Sequence, residues 1–87
     1  MVEWRHVIDV KQYLKDGTEA SAAAAGVLKE IAKLQRKEEF KDDSELDQIR
    51  EEFQSLADDP ETTDESFNDV LDRLYDWANG ERVWCGL

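Results

Sequence analysis

The side chains in this sequence that could do chemistry are mostly carboxylates: 22 Asp and Glu stand beside one histidine, His6, and one cysteine, Cys85. General acid–base catalysis needs a carboxyl group whose pKa is raised by burial and a second group within reach of it. The adjacent pairs Glu51-Glu52 and Asp58-Asp59 could be put forward, but in so acidic a chain such pairs arise from composition alone, and they fall on solvent faces of the expected helices. No Ser, Thr or Cys is paired with His6 by spacing, and one Cys with one His makes no zinc set. The Glu-x-x-His repeat of carboxylate-bridged metal sites is absent. Residues 58–69 have the length and acidity of a calcium loop, yet Pro60 stands at a ligand position, the sharp turn lacks glycine, and the last position is Asp rather than Glu. The four glycines are isolated, so no phosphate-cradling loop is present. The expectation is a protein that is not an enzyme and has no catalytic residues, metal or cofactor.

Charge says more than motif. The net charge is −11; residues 1–36 carry six Lys/Arg against five Asp/Glu, a balance of +1, and residues 37–87 carry five against seventeen, a balance of −12. This argues against direct binding to nucleic acid or an anionic membrane and suits a partner protein with a basic surface. No apolar run is long enough to span a membrane, the N-terminus lacks a signal-peptide layout, and Cys85 has no cysteine to pair with, so a cytoplasmic location is expected. A chain of 87 residues forms one domain, residues 1–87, that buries only roughly 60% of its unfolded surface. A deep ligand cleft would consume much of so small a core.

The elements that must position the charges follow from periodicity. MVEWRHVI alternates, with Val2, Trp4, His6 and Ile8 on one face and Glu3, Arg5 and Val7 on the other, as in a short strand. Asp9 with Gln12 reads as a capping box for a short helix, DVKQYLKD, burying Val10, Tyr13 and Leu14 and ended by Gly17. Thr18 is placed to cap a second helix running to about Lys37 or beyond, with Ala20, Ala23, Ala24, Val27, Leu28, Ile31 and Leu34 on its apolar stripe. Residues 20–26 are all small and allow a close approach of backbone or aromatic ring; Ala22 and Gly26, one turn apart, also offer a homodimer seam.

A break is expected around residues 41–43, with Phe40 folding back onto the core. Ser44 then caps a third helix, ELDQIREEFQSLA, whose seam is Leu46, Ile49, Phe53 and Leu56. Pro60 ends it, and Thr63 or Asp64 caps a fourth helix, residues 64–79, closed by Asn79-Gly80. In the tail ERVWCGL, Val83 and Cys85 face opposite to Trp84 if the segment is extended. The fold class is mainly α, a small bundle of three to four helices, with a short two-stranded ribbon of the N- and C-terminal segments as an option.

The fourth helix carries Phe67, Val70, Leu71, Leu74, Trp77 and Ala78 on one side and Glu65, Asp69, Asp72 and Asp76 on the other. Those four acids line up over roughly 16 Å. On the third helix Asp47, Glu51 and Asp58 form a second line flanked by Glu45 and Glu52, and a short connection can set the two lines side by side. The function read from this surface is recognition of a partner protein. The alternative is mimicry of a nucleic-acid backbone, by analogy of charge and size with the small acidic inhibitors of phages and other mobile elements. Trp84 or Trp4 is the expected aromatic anchor if the domain binds through apolar contact instead.

Overall fold

The computed structural model describes residues 4, 6–14 and 17–85, with Lys11 and Cys85 as backbone only. The order of elements is strand β1 (His6–Ile8), a 3-10 turn (Lys11–Tyr13), helix α1 (Ala20–Gln35), helix α2 (Ser44–Asp58), helix α3 (Asp64–Glu81) and strand β2 (Val83–Cys85). The expected alternation at Val2, Glu3 and Arg5, the helix end at Lys15 and Asp16, and the tail's Gly86 and Leu87 lie outside the described residues. The fold is mainly helical, and the ribbon is present as a parallel pair in which His6 faces Val83, Val7 faces Trp84 and Ile8 faces Cys85. Parallel strands need a crossover, and here all three helices supply it.

The first expected helix is a correction. Asp9 and Gln12 do bond as a pair, Asp9 Oδ1 accepting from the Gln12 N–H at 3.4 Å and Gln12 Nε2 donating to the Asp9 carbonyl at 3.2 Å. What they close is the single turn Lys11–Tyr13, after which Gly17 takes a φ of +88° and turns the chain into α1. Isolated helices this short lack the hydrogen bonds to offset nucleation. Val10 is fully buried below the turn, and Tyr13 and Leu14 lie half-buried on the core.

Helix α1 starts without the expected Thr18 cap; Glu19 takes the N-cap position and makes no side-chain cap bond. Alanine-rich sequence sustains the helix instead. Six of the seven residues of the expected stripe are buried and Leu28 is half-buried against the core; the unexpected member is Glu30, 4% exposed. Glu30 Oε1 accepts from the Asp9 backbone N–H at 3.3 Å, tying the turn to the helix, and Oε2 lies 2.9 Å from the Lys33 ammonium. That carboxylate raises the Lys33 pKa above its ordinary value.

The small residues of α1 serve a close approach within the chain. Ala20, Ala23, Ala24 and Gly26 are buried, and a Cβ on Gly26 would sit 2.2 Å from Cδ1 of the Tyr13 ring. Gly26 therefore shares no open face with Ala22; Ala22 and Ala25 are the exposed members of the stretch.

The break after α1 comes at Arg36, earlier than residues 41–43. On a continued helix Phe40 would point roughly 120° away from Leu34, off the apolar stripe. Turns closed by Phe40 N–H to Lys37 O and Asp43 N–H to Phe40 O bring that ring back, and Phe40 is 1% exposed.

The cap of α2 is Asp43 rather than Ser44: Asp43 Oδ1 accepts from the Leu46 N–H at 3.0 Å. Its other oxygen accepts from Trp77 Nε1–H on α3, also at 3.0 Å. Trp77 packs edge-on against Phe40, with ring centroids 5.3 Å apart. Leu46, Ile49 and Phe53 are buried, Leu56 is half-buried, and Phe53 meets Phe67 of α3 edge-on at 5.9 Å. Thr63 caps α3 through Oγ1, which accepts from the Ser66 N–H at 3.1 Å, and all six expected core residues of α3 are buried. The helix does not stop at Asn79-Gly80; it runs through Glu81, and Arg82 takes the left-handed position with a φ of 58°. This carries Val83 into the core at 1% exposure, beside β1.

Two stability measurements check these packing assignments. Gly26→Ala should destabilise the wild type by about 1–3 kcal/mol through overpacking against Tyr13. In a Tyr13→Ala background the same change should stabilise by about 1 kcal/mol through helix propensity. Denaturation of the four proteins measures both, and an equal effect in the two backgrounds would show that the ring does not rest on Gly26. Asp43→Ala removes a cap and the indole's acceptor together and should cost about 2–3 kcal/mol. In a Trp77→Phe background the cost should fall to about 1 kcal/mol, that of the cap alone.

Candidate interaction surfaces

Helices α2 and α3 are joined by residues 59–63 and pack side by side as an antiparallel pair. Charged side chains line their seam. Arg73 of α3 forms an ion pair with Glu52 of α2, and a groove along the seam is lined by Glu45, Gln48, Ile49, Glu52, Arg73 and Asp76. It continues past Glu51 and Ser55. On a helical wheel centred on Ile49, residues 45, 48 and 52 fall within about 100° on the side toward α3, whereas Asp47 lies about 160° round the other way, where it reaches Gln35 of α1.

The sequence-derived residues separate accordingly. Glu65, Asp69, Asp72 and Asp76 are all exposed on α3, and Glu51 and Asp58 are exposed on α2. Glu51 and Asp76 border the same groove system. Asp58 sits at the opposite end of α2, near the start of α3, and accepts from Gln54 Nε2 at 3.0 Å. Asp47 does not join the seam: it accepts from Gln35 Nε2 of α1 at 3.4 Å and from Arg50 Nη2 at 3.0 Å, so its charge is partly offset within the fold. The flanking residues Glu45 and Glu52 are the α2 acids that meet α3. The same wheel carries that signal in the sequence, once the direction of α3 from α2 is known.

The charges suit helix stability at the N-termini but not along the rest of α3. Both α2 and α3 begin with acids in the first turn, as the helix dipole favours, but neither has a basic residue in its last turn. Asp69 with Asp72 and Asp72 with Asp76 are like-charge neighbours at helical spacing, each costing about 0.2–0.5 kcal/mol. Arg73, the one cation among them, is held by Glu52. Glu65, Asp69, Asp72 and Asp76 of α3, all exposed, are left for solvent or a partner.

Chemistry finds less support. His6 Nε2 lies 2.5 Å from Glu39 Oε1, and its ring packs edge-on against Phe40 at 5.4 Å, which makes it a tether between β1 and the α1–α2 connection. Among the described residues no three His, Cys, Asp or Glu side chains converge in a way that could hold a metal ion. No helix is long and apolar enough to cross a membrane.

The second surface is the outer face of the ribbon. Ile8 and Val83 are buried on its inner face, and Val7 and its register partner Trp84 point the other way, 69% and 43% exposed. Trp4, expected on the face with His6 and Ile8, lies before the strand and packs edge-on against Trp84, centroids 5.2 Å apart, with 37% of its surface exposed. Trp77, by contrast, is core at 4%. No protein-family model matches the chain, and neither a curated protein nor a solved structure is similar to it.

Proposed function

We propose that this chain is a small non-enzymatic interaction domain of the cytoplasm that recognises a partner protein with a basic surface through the α2/α3 face. One observation carries the reading: Glu65, Asp69, Asp72 and Asp76 are all exposed on α3, and the single cation among them is held by a neighbouring acid. A face selected only for solubility gains from interleaved cations, which lower like-charge cost on the helix. A face selected to meet cations keeps its acids free. The contact residues are Glu51, Asp58, Glu65, Asp69, Asp72 and Asp76, joined by Glu45 and Glu52 from the seam, and Asp47, engaged by Gln35 and Arg50, drops out of the set.

The side-by-side course of the two helices favours a second, narrower reading of the same face. With Glu45, Glu51 and Glu52 of α2 lying along the seam beside Asp76, and Glu65, Asp69 and Asp72 on the outer face of α3, the acids of the two helices together approach the charge density of a duplex, about one per 1.7 Å of axis, more closely than one helix could. In that reading the partner is itself a nucleic-acid-binding protein, and the domain blocks it by occupying its groove.

Both readings predict that reversing Asp69, Asp72 and Asp76 together to Lys abolishes capture of the partner from the native host. The melting temperature should stay unchanged or rise, because the reversal relieves repulsion at exposed positions. Capture that survives the reversal would remove the acidic face from the function. Duplex DNA or RNA should displace the domain from the captured partner if the surface is a mimic. A partner with no affinity for nucleic acid leaves only the broader reading.

A further inference from the structure

Parallel sheets are ordinarily covered on both faces, and two strands alone are marginally stable. The ribbon here is covered on one face only. Its other face carries Trp4, Val7 and Trp84, the large apolar side chains that are exposed among the described residues. The sheet has two strands, so each has one hydrogen-bonded neighbour within it, and an added strand would pair on an outer edge.

The size and charge of the chain narrow what could cover this face. The three side chains leave apolar surface on the order of 300 Å² open, against roughly 800 Å² per partner in a stable interface. Two copies would also bring together net charges of −11 each, which opposes self-association through so small a patch. A single extended segment fits better, since three residues of strand span about 10 Å. The same net charge favours a cationic occupant, and the open faces of two tryptophans take Lys or Arg by cation–π contact.

We infer that the β1–β2 ribbon is a strand-addition site. An extended segment of a partner protein, with apolar residues alternating with Lys or Arg, adds beside the ribbon and lays its side chains over Trp4, Val7 and Trp84. The inference rests on the proposed function only in taking the partner to be a basic protein. It assigns the anchoring contact to a different surface.

The test is selection from a display library of random peptides about ten residues long, enough for one strand, against the whole chain at low salt. Enriched peptides should show apolar residues alternating with Lys or Arg. They should bind Trp84→Ala and Val7→Asp at least about tenfold more weakly than wild type, a loss of about 1.4 kcal/mol. Val7 is the most exposed of the three, so Val7→Asp keeps the test valid if Trp84→Ala is poorly folded. No enrichment, or equal binding to both variants, would overturn the site. A wild-type dimer in sedimentation that Val7→Asp dissociates would overturn it too, by making a second copy the occupant. Peptide binding lost in Val7→Asp but kept in the triple Lys reversal on α3 supports the ribbon as a site of its own, while the acidic face stands or falls on capture of the whole partner by that reversal. The converse pattern removes the ribbon.

Discussion

Asp43 is one residue with two acceptor oxygens and two obligations. One oxygen closes the first turn of α2 and the other holds the indole N–H of Trp77 on α3. Trp77 in turn meets Phe40, and Phe40 meets His6 of β1. A single carboxylate thereby sets where α2 begins and how α3 lies beside it, and the aromatic chain it supports reaches the ribbon. An indole N–H in a core this small needs an acceptor, because an unpaired buried donor costs about 1–3 kcal/mol. Asp43 supplies one without a dedicated polar network, at a position already required for a cap.

The consequence for function is geometric. With α2 and α3 in register, Glu45, Glu52 and Asp76 border one groove, and Arg73 bridges it to Glu52. The remaining acids of α3 then project from a rigid support. Exposed ion pairs contribute little to stability, about 0–1 kcal/mol each, so Arg73 and Glu52 orient the helices more than they hold them. Cohesion comes from Phe53, Phe67, Leu74 and their neighbours beneath. The fold thus combines an apolar interior, tied by the carboxylates of Asp43 and Glu30, with an outer face of α3 whose acids take no part in it, and that face is where the proposed recognition is to be sought.

Much of the interior was legible in the sequence. The stripe of α3 and the seam of α2 follow from three-and-four spacing, and the alternation in the terminal segments anticipated strands. What stayed hidden depended on partners distant in the chain. Glu30 is buried with one oxygen accepting from the Asp9 backbone N–H, a contact that no local pattern reveals. Gly26 is a glycine because Tyr13 lies on it. Asp43 displaced Ser44 as the cap because it had a second task on α3. Asp47 left the acidic line because Gln35 and Arg50 reached it, and local spacing carries no information about the direction of a neighbouring helix. Arg82 replaced glycine in the left-handed position so that Val83 could enter the core, again a tertiary demand overriding a local signal.

If fold and recognition are separated in this way, salt should act on them in opposite directions. Raising ionic strength from about 0.05 M to about 0.5 M shortens the Debye length and screens both the self-repulsion of the acids and their attraction to a basic partner. The decisive measurement is therefore the affinity for the captured partner and the unfolding free energy of the free domain, followed over the same salt series. Affinity should fall steeply while stability holds or rises. Affinity that stays flat across the series would contradict the claim that the acids of α3 are the recognition surface.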